Sequence, residues 1–209
     1  MLKFIIILVG VFLLTTEAMA QKVLQKEFSA LGFETLIIES DDVFTIDISA
    51  KKTDKIKIRT HIEGENYESV VVNTSEAHKT LTLSTGYSPF FKKENDKLAA
   101  HKIIAIDMIV TIPESMQVEI RSKIASVTGK GAYDNFFVAL ENGTCLLNNF
   151  KGNATLYTKE GAITVYAKPV VTGQAVSKKG TTLNQLPKTG KYKINAESIT
   201  GSITLLQTE

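Results

Sequence analysis

The sequence predicts an all-β protein, a single-chain parallel β-solenoid or β-helix with an N-terminal strand-rich capping region. Three observations carry that expectation. A short pattern of apolar alternation, small-residue corner and apolar alternation recurs five times between about Met116 and Leu206. Apolar and polar residues alternate with the period of two that marks a strand with one buried face. No segment after residue 20 carries the wider apolar spacing of a helix.

The chain opens with the features of a secretory signal, which defines a first segment, 1–20. Lys3 stands in a short positive region, an apolar run extends from Phe4 to Leu14, and Ala18-Met19-Ala20 forms an A-x-A cleavage site. The run is shorter than the roughly 20 residues a bilayer requires, so no transmembrane segment is expected after cleavage near Gln21. Export to the periplasm, the outer cell surface or the extracellular space follows.

Residues 21–112 are expected to form β-rich rungs or a cap. Thr35 to Glu39, Val43 to Ile48, Ile56 to Ile62, Val70 to Asn73, Leu81 to Ser84 and Ile103 to Ile112 alternate or run apolar. Ser40-Asp41-Asp42, Ala50 to Asp54, Glu63 to Asn66 and Ser75 to Lys79 mark turns between them. In Ile56 to Ile62 the isoleucines and Thr60 share one face, and Lys57, Arg59 and His61 the other. An end rung left open invites edge pairing, so a cap is physically required.

An insertion at 86–102 interrupts this pattern, carrying Tyr87, Phe90 and Phe91 with a charged tip. Long loops without regular structure often carry function. These three aromatics are therefore a candidate ligand-binding loop, with a flap tucked over the flank as the plain alternative.

Residues 113–209 hold the short-period repeat. Ala125, Gly143, Gly161, Gly180 and Gly201 fall in register at the corner, spaced by 18, 18, 19 and 21 residues. Five positions earlier stand Ile120, Val138, Leu156, Ala175 and Ala196; two positions later stand Val127, Cys145, Ile163, Thr182 and Ile203. Two short strands of one copy cannot bury their own apolar face, so copies must stack about 4.8 Å apart. Truncating a central residue, as in Ile163→Ala, is expected to cost about 2–5 kcal/mol. Small residues three before the corner (Ser122, Thr158, Ser177, Ser198, with Leu140 the exception) suit a narrow core. The longer spacing before Gly201 suggests a bulge or loop through Lys188 to Lys191. The last strand, Ile203 to Leu206, leaves an edge open to self-association as a homo-oligomer.

Function is less legible. The 24 basic and 22 acidic residues leave a net charge of +2, too small to indicate nucleic acid. Cys145 is the only cysteine, so no internal disulfide forms, and it is expected to pack as a small core residue between Val127 and Ile163. His61, His78 and His101 lack metal-ligand spacing, no G-x-S-x-G is present, and no cofactor is implied. Two before the corner stand Lys123, Glu141, Lys159 and Lys178, with Lys179 beside the last. Lys123, Lys159, Lys178 and Lys179 are a candidate basic ridge for an anionic glycan, a solvated corner being the plain alternative.

Lys97 to Lys102, followed by Ile103 to Pro113, Ile124-Ala125-Ser126-Val127 and the corners Gly161 to Val165 and Gly201 to Leu205, carry a family likeness. On them the chain, from about Glu27 to Leu206, resembles the adhesins of the auto-transporter-head-like (GIN-domain) superfamily, small exported proteins of Gram-negative bacteria. That resemblance implies a right-handed β-helix and brings no catalytic residues. The sequence thus points to an exported, non-catalytic adhesin or envelope-binding module whose partner is a surface polysaccharide or an envelope protein. A carbohydrate-active lyase or hydrolase and a purely structural envelope protein are the alternatives.

Overall fold

The computed structural model describes residues 21–64, 66–89 and 104–208. The expected signal segment, and Phe90 and Phe91 of the insertion, lie outside them. Fifteen strands are described: β1 (Gln21–Ser29), β2 (Thr35–Glu39), β3 (Thr45–Lys51), β4 (Lys55–Gly64), β5 (Val70–Ala77), β6 (Thr80–Tyr87), β7 (Ile104–Pro113), β8 (Gln117–Ser122), β9 (Ser126–Asn142), β10 (Cys145–Glu160), β11 (Ile163–Ala167), β12 (Val171–Ser177), β13 (Thr182–Asn184), β14 (Tyr192–Ser198) and β15 (Ile203–Gln207). They make an all-β fold, one sheet of mixed strand orientation wrapped into a nearly closed, barrel-like form.

The pairing resolves into two ladders that share the long strands β9 and β10. One runs β5-β6-β2-β8-β9-β10-β14-β12. The other runs β1-β4-β7-β3-β9-β10-β11-β15-β13. The expected parallel solenoid needs correction to a sheet of mixed orientation: in the N-terminal region, expected as rungs or a cap, β1–β4, β4–β7 and β5–β6 pair antiparallel. The β5–β6 hairpin turns through His78 and Lys79, both at positive φ, which suits the twist of a two-residue hairpin loop.

The columns read from the sequence are literal registers. Ile120 pairs with Val138, Val138 with Leu156, and Leu156 with Ala196. Val127 pairs with Cys145, Cys145 with Ile163, and Ile163 with Ile203. All of these residues are buried in one core between the ladders. Cys145 lies where expected, and burial pushes its thiol pKa up to about 12.

Three readings change. The fourth and fifth copies exchange places: β11 pairs with β15, and β13 lies outside β15. The last strand is therefore interior, and the edges at this end are β12 and β13, where Val176 and Leu183 stand exposed. Second, a sixth copy sits near the start of the chain. β2 and β3 take the columns with Ile38 opposite Ile120 and Ile46 opposite Val127. One extra corner residue, with Val43 buried there, hid it from the spacing. Third, the small residues three before the corner, of which Ser122, Thr158 and Ser198 are buried as a narrow core requires, serve in addition as caps. The Oγ atoms of Ser122, Ser177 and Ser198 accept from the amides of Ala125, Gly180 and Gly201, and Thr158 Oγ1 donates to the Gly161 carbonyl.

At the opposite end β5 is an edge, and lysines of β1 reach its carbonyls. Lys22 Nζ donates to the carbonyls of Glu68 and Val70, and Lys26 Nζ to that of Val72 at 2.8 Å. Edge groups occupied in this way are unavailable to another chain.

Candidate functional site

Tight corners bring one end of every rung to a single edge of the molecule. The turn Ser40–Asp42, the corner at Lys123–Ala125, the corner at Gly143 and the corner at Gly161 follow one another along it, tied by Lys123 N to Asp41 Oδ1 and by Asn142 N to the Lys123 carbonyl. The side chains two before the corner follow in the order Asp41, Lys123, Glu141, Lys159. Ile199 comes next and only then Lys178, because β14 lies between β10 and β12. The candidate basic ridge is thus interrupted: Lys123 pairs with Asp41, which holds its ammonium above the usual lysine pKa, and Lys159 is separated from Lys178 and Lys179 by an apolar residue.

Tyr87, the described member of the candidate loop, closes β6 and packs partly buried against the core. Burial, with the Asp42 carboxylate second, raises its phenol pKa.

The column four before the corner faces outward, and no sequence signal was drawn from it. Arg121, Ala139 and Tyr157 stand there on successive strands, with Glu39 beside Arg121. Arg121 is held from two sides: its Nε donates to Glu119 at 2.6 Å, and its guanidinium lies 4.7 Å from the centre of the Phe137 ring. Such a planar cation stacks well on an aromatic face. Tyr157 is 39% exposed. Between them, over the small Ala139, lies a cleft of about 260 Å³ that Asp41, Lys123 and Glu141 close on the corner side. A second hollow adjoins it through Asp41 and Arg121, lined by Glu39, Asp42 and Thr85.

A wider groove of about 490 Å³ runs between the Ala30–Glu34 turn and Pro113–Gln117 at the other edge. Acidic Glu34, Asp54, Glu114 and Asp134 rim it, and no aromatic ring but Phe33 lines it. Among the described residues no group of three His, Cys, Asp or Glu side chains is placed to hold a metal ion. No described helix is long and apolar enough to cross a membrane.

Reading the outward positions of β8, β9 and β10 in register would have found Arg121, Ala139 and Tyr157. Period-two alternation drew attention to the inward columns, which the core explains, and left the outward ones as solvated surface.

No protein-family model and no curated protein sequence matches the chain. A solved structure described as "a putative cell adhesion protein" from Clostridium sporogenes overlays with a TM-score of 0.66 at 19% identity, across 90% of this chain and 100% of that one. The fold is thus shared over almost the whole length. Two structures described as "putative adhesin", from Bacteroides fragilis and Parabacteroides distasonis, each cover 88% of this chain and 97% of their own. They give TM-scores of 0.40 and 0.34 at 13% and 9% identity, too low to add to that.

Proposed function

We propose that this chain is an exported, non-catalytic β-solenoid that works as an adhesin or envelope-binding module for a surface glycan or an envelope protein. The observation that carries the reading is the cleft at Arg121, Ala139 and Tyr157, a concave patch of preset side chains on rigid strands. The fold likeness, over 90% of this chain, to a structure described as "a putative cell adhesion protein" supports it. The coil reading rests on parallel registers 18 residues apart from β8 through β9 and β10 to β11, and its right-handedness on the resemblance to the GIN-domain superfamily. Placement in the periplasm, at the outer surface or outside the cell rests on the N-terminal segment. The insertion bearing Tyr87, Phe90 and Phe91 is proposed as an accessory contact on its aromatic sequence alone.

One observation favours the enzymatic alternative. The cleft sets Asp41 and Glu141 beside Arg121 and Lys123, residue types that glycan cleavage uses. Against it, Lys123 is held protonated by Asp41 and so makes a poor base.

The test is binding of labelled chain to isolated cell envelopes, with release of reducing sugar followed in the same tubes. Saturable binding, displaced by unlabelled chain and without sugar release, is expected. Sugar release would replace this reading with the enzymatic one, and the lack of any saturable binding would remove it.

A further inference from the structure

We infer that the cleft over Ala139 is a subsite for one neutral pyranose ring of a glycan, a specificity that rests on the binding-module reading above. The register creates the shape. Ala139 has Arg121 on one side and Tyr157 on the other, so the backbones that carry two large side chains stand about 9.5 Å apart, two strand spacings, across a floor of one methyl group. The volume of about 260 Å³ lies just below the range of drug-sized pockets and suits one ring.

The walls supply what a sugar offers. The exposed Tyr157 ring provides an apolar face for the C–H side of a pyranose, with a hydroxyl at its tip. Arg121 commits Nε to Glu119, and among the described residues its two Nη groups make no hydrogen bond, leaving a fixed fork of donors for adjacent sugar hydroxyls. Glu141 provides acceptors on the corner side. Because Arg121 is already held by Glu119 and by the Phe137 ring, binding costs little ordering of that side chain.

Charge selects the sugar. Arg121 pairs with Glu119 and Lys123 with Asp41, while Glu141, set between Lys123 and Lys159 along the corner and acting on Lys123, adds a further carboxylate to the cleft. A uronate, sulfate or phosphate group would meet cations already partnered by carboxylates and would face the carboxylate of Glu141. The ligand is therefore uncharged at this ring, unlike the anionic glycan that the lysine column suggested.

The experiment is affinity electrophoresis of the purified chain through gels containing mannan, dextran or galactan as neutral probes and alginate or heparin as anionic ones. Ala139→Phe fills the cleft and suits a strand, Tyr157→Ala removes a wall, and Tyr166→Ala, on an exposed position of β11, is the control. At least one neutral polymer should retard the chain, with binding about tenfold weaker in Ala139→Phe and Tyr157→Ala and unchanged in Tyr166→Ala. Retardation by the anionic polymers alone, or by neutral ones equally in Ala139→Phe, would overturn the subsite. Saturable envelope binding that persists without retardation by any glycan would also overturn it while leaving the binding-module reading intact with a protein partner.

Discussion

Gly201 stacks directly on Gly161, so closely that a Cβ on Gly201 would lie 1.7 Å from the Gly161 carbonyl oxygen; Gly180 lies beyond it, its own Cβ position 2.3 Å from the Gly201 carbonyl. The corner order is therefore 161, 201, 180. Returning to fill the gap between its third and fourth copies, the chain places its last rung inside the ladder.

Gly201→Ala should destabilise the fold by about 1–3 kcal/mol, since backbone rather than a movable side chain occupies the space. Gly32→Ala makes the contrast. Its φ of 106° penalises a side chain, but nothing lies within 4 Å, so the cost is about 1 kcal/mol of backbone conformation. Denaturant midpoints would check the ranking, and equal losses would show that the close corner contact has relaxed.

Because β15 lies between β11 and β13, its amides should exchange with deuterium as slowly as those of β10. The Ile203 amide donates to Thr181 and the Ile163 amide to Ser202, so both sides of the strand are engaged. Edge strands ordinarily open more readily and exchange faster. Rapid exchange over Ile203 to Leu206 would show that the last rung is peripheral after all.

Thr60 is buried at 1% exposure, and its hydroxyl has no partner among the described residues. It stands between Leu24 and Met108 in a column that is otherwise apolar. Thr60→Val keeps the shape and removes the stranded group, so stability should rise by about 1 kcal/mol. A loss, measured by urea unfolding, would mean that the hydroxyl is satisfied.

Two buried acids make the fold sensitive to alkali. Burial raises the Cys145 thiol from 9.0 to about 12 and pushes the Tyr133 phenol well above its ordinary 10.0. Both stay protonated in the folded chain while the unfolded chain ionises. Their stabilising effect is thus complete below about pH 9 and declines as pH rises toward the folded values. The urea midpoint should fall between pH 8.5 and about 11, with a shallower fall in Cys145→Ala. An unchanged slope in that variant would remove Cys145 from the account.

Within one copy, the sequence by itself determined which residues face inward, where the corner falls and which residue of the next copy each will meet. Those features depend on period-two alternation and on a small corner residue, both local. Ile120, Val138 and Leu156 could be aligned by counting, and so could Val127, Cys145 and Ile163. The order of the copies was not determined in this way. Each presents a similar apolar column, so Ala196 fits Leu156 as well as Ala175 does, and spacing cannot choose between them. The tertiary structure decided it, through contacts far apart in the chain. The loop Gln185 to Lys191 carries the chain back, with Lys191 N bonded to Val170, and β15 then seats beside β11. The same non-local pairing placed Ile38 and Ile46 in the columns and set Arg121, Ala139 and Tyr157 side by side. A binding cleft that faces Arg121 of β8 with Tyr157 of β10 across Ala139 of β9 exists only once the register is formed, because these three residues come from three different strands.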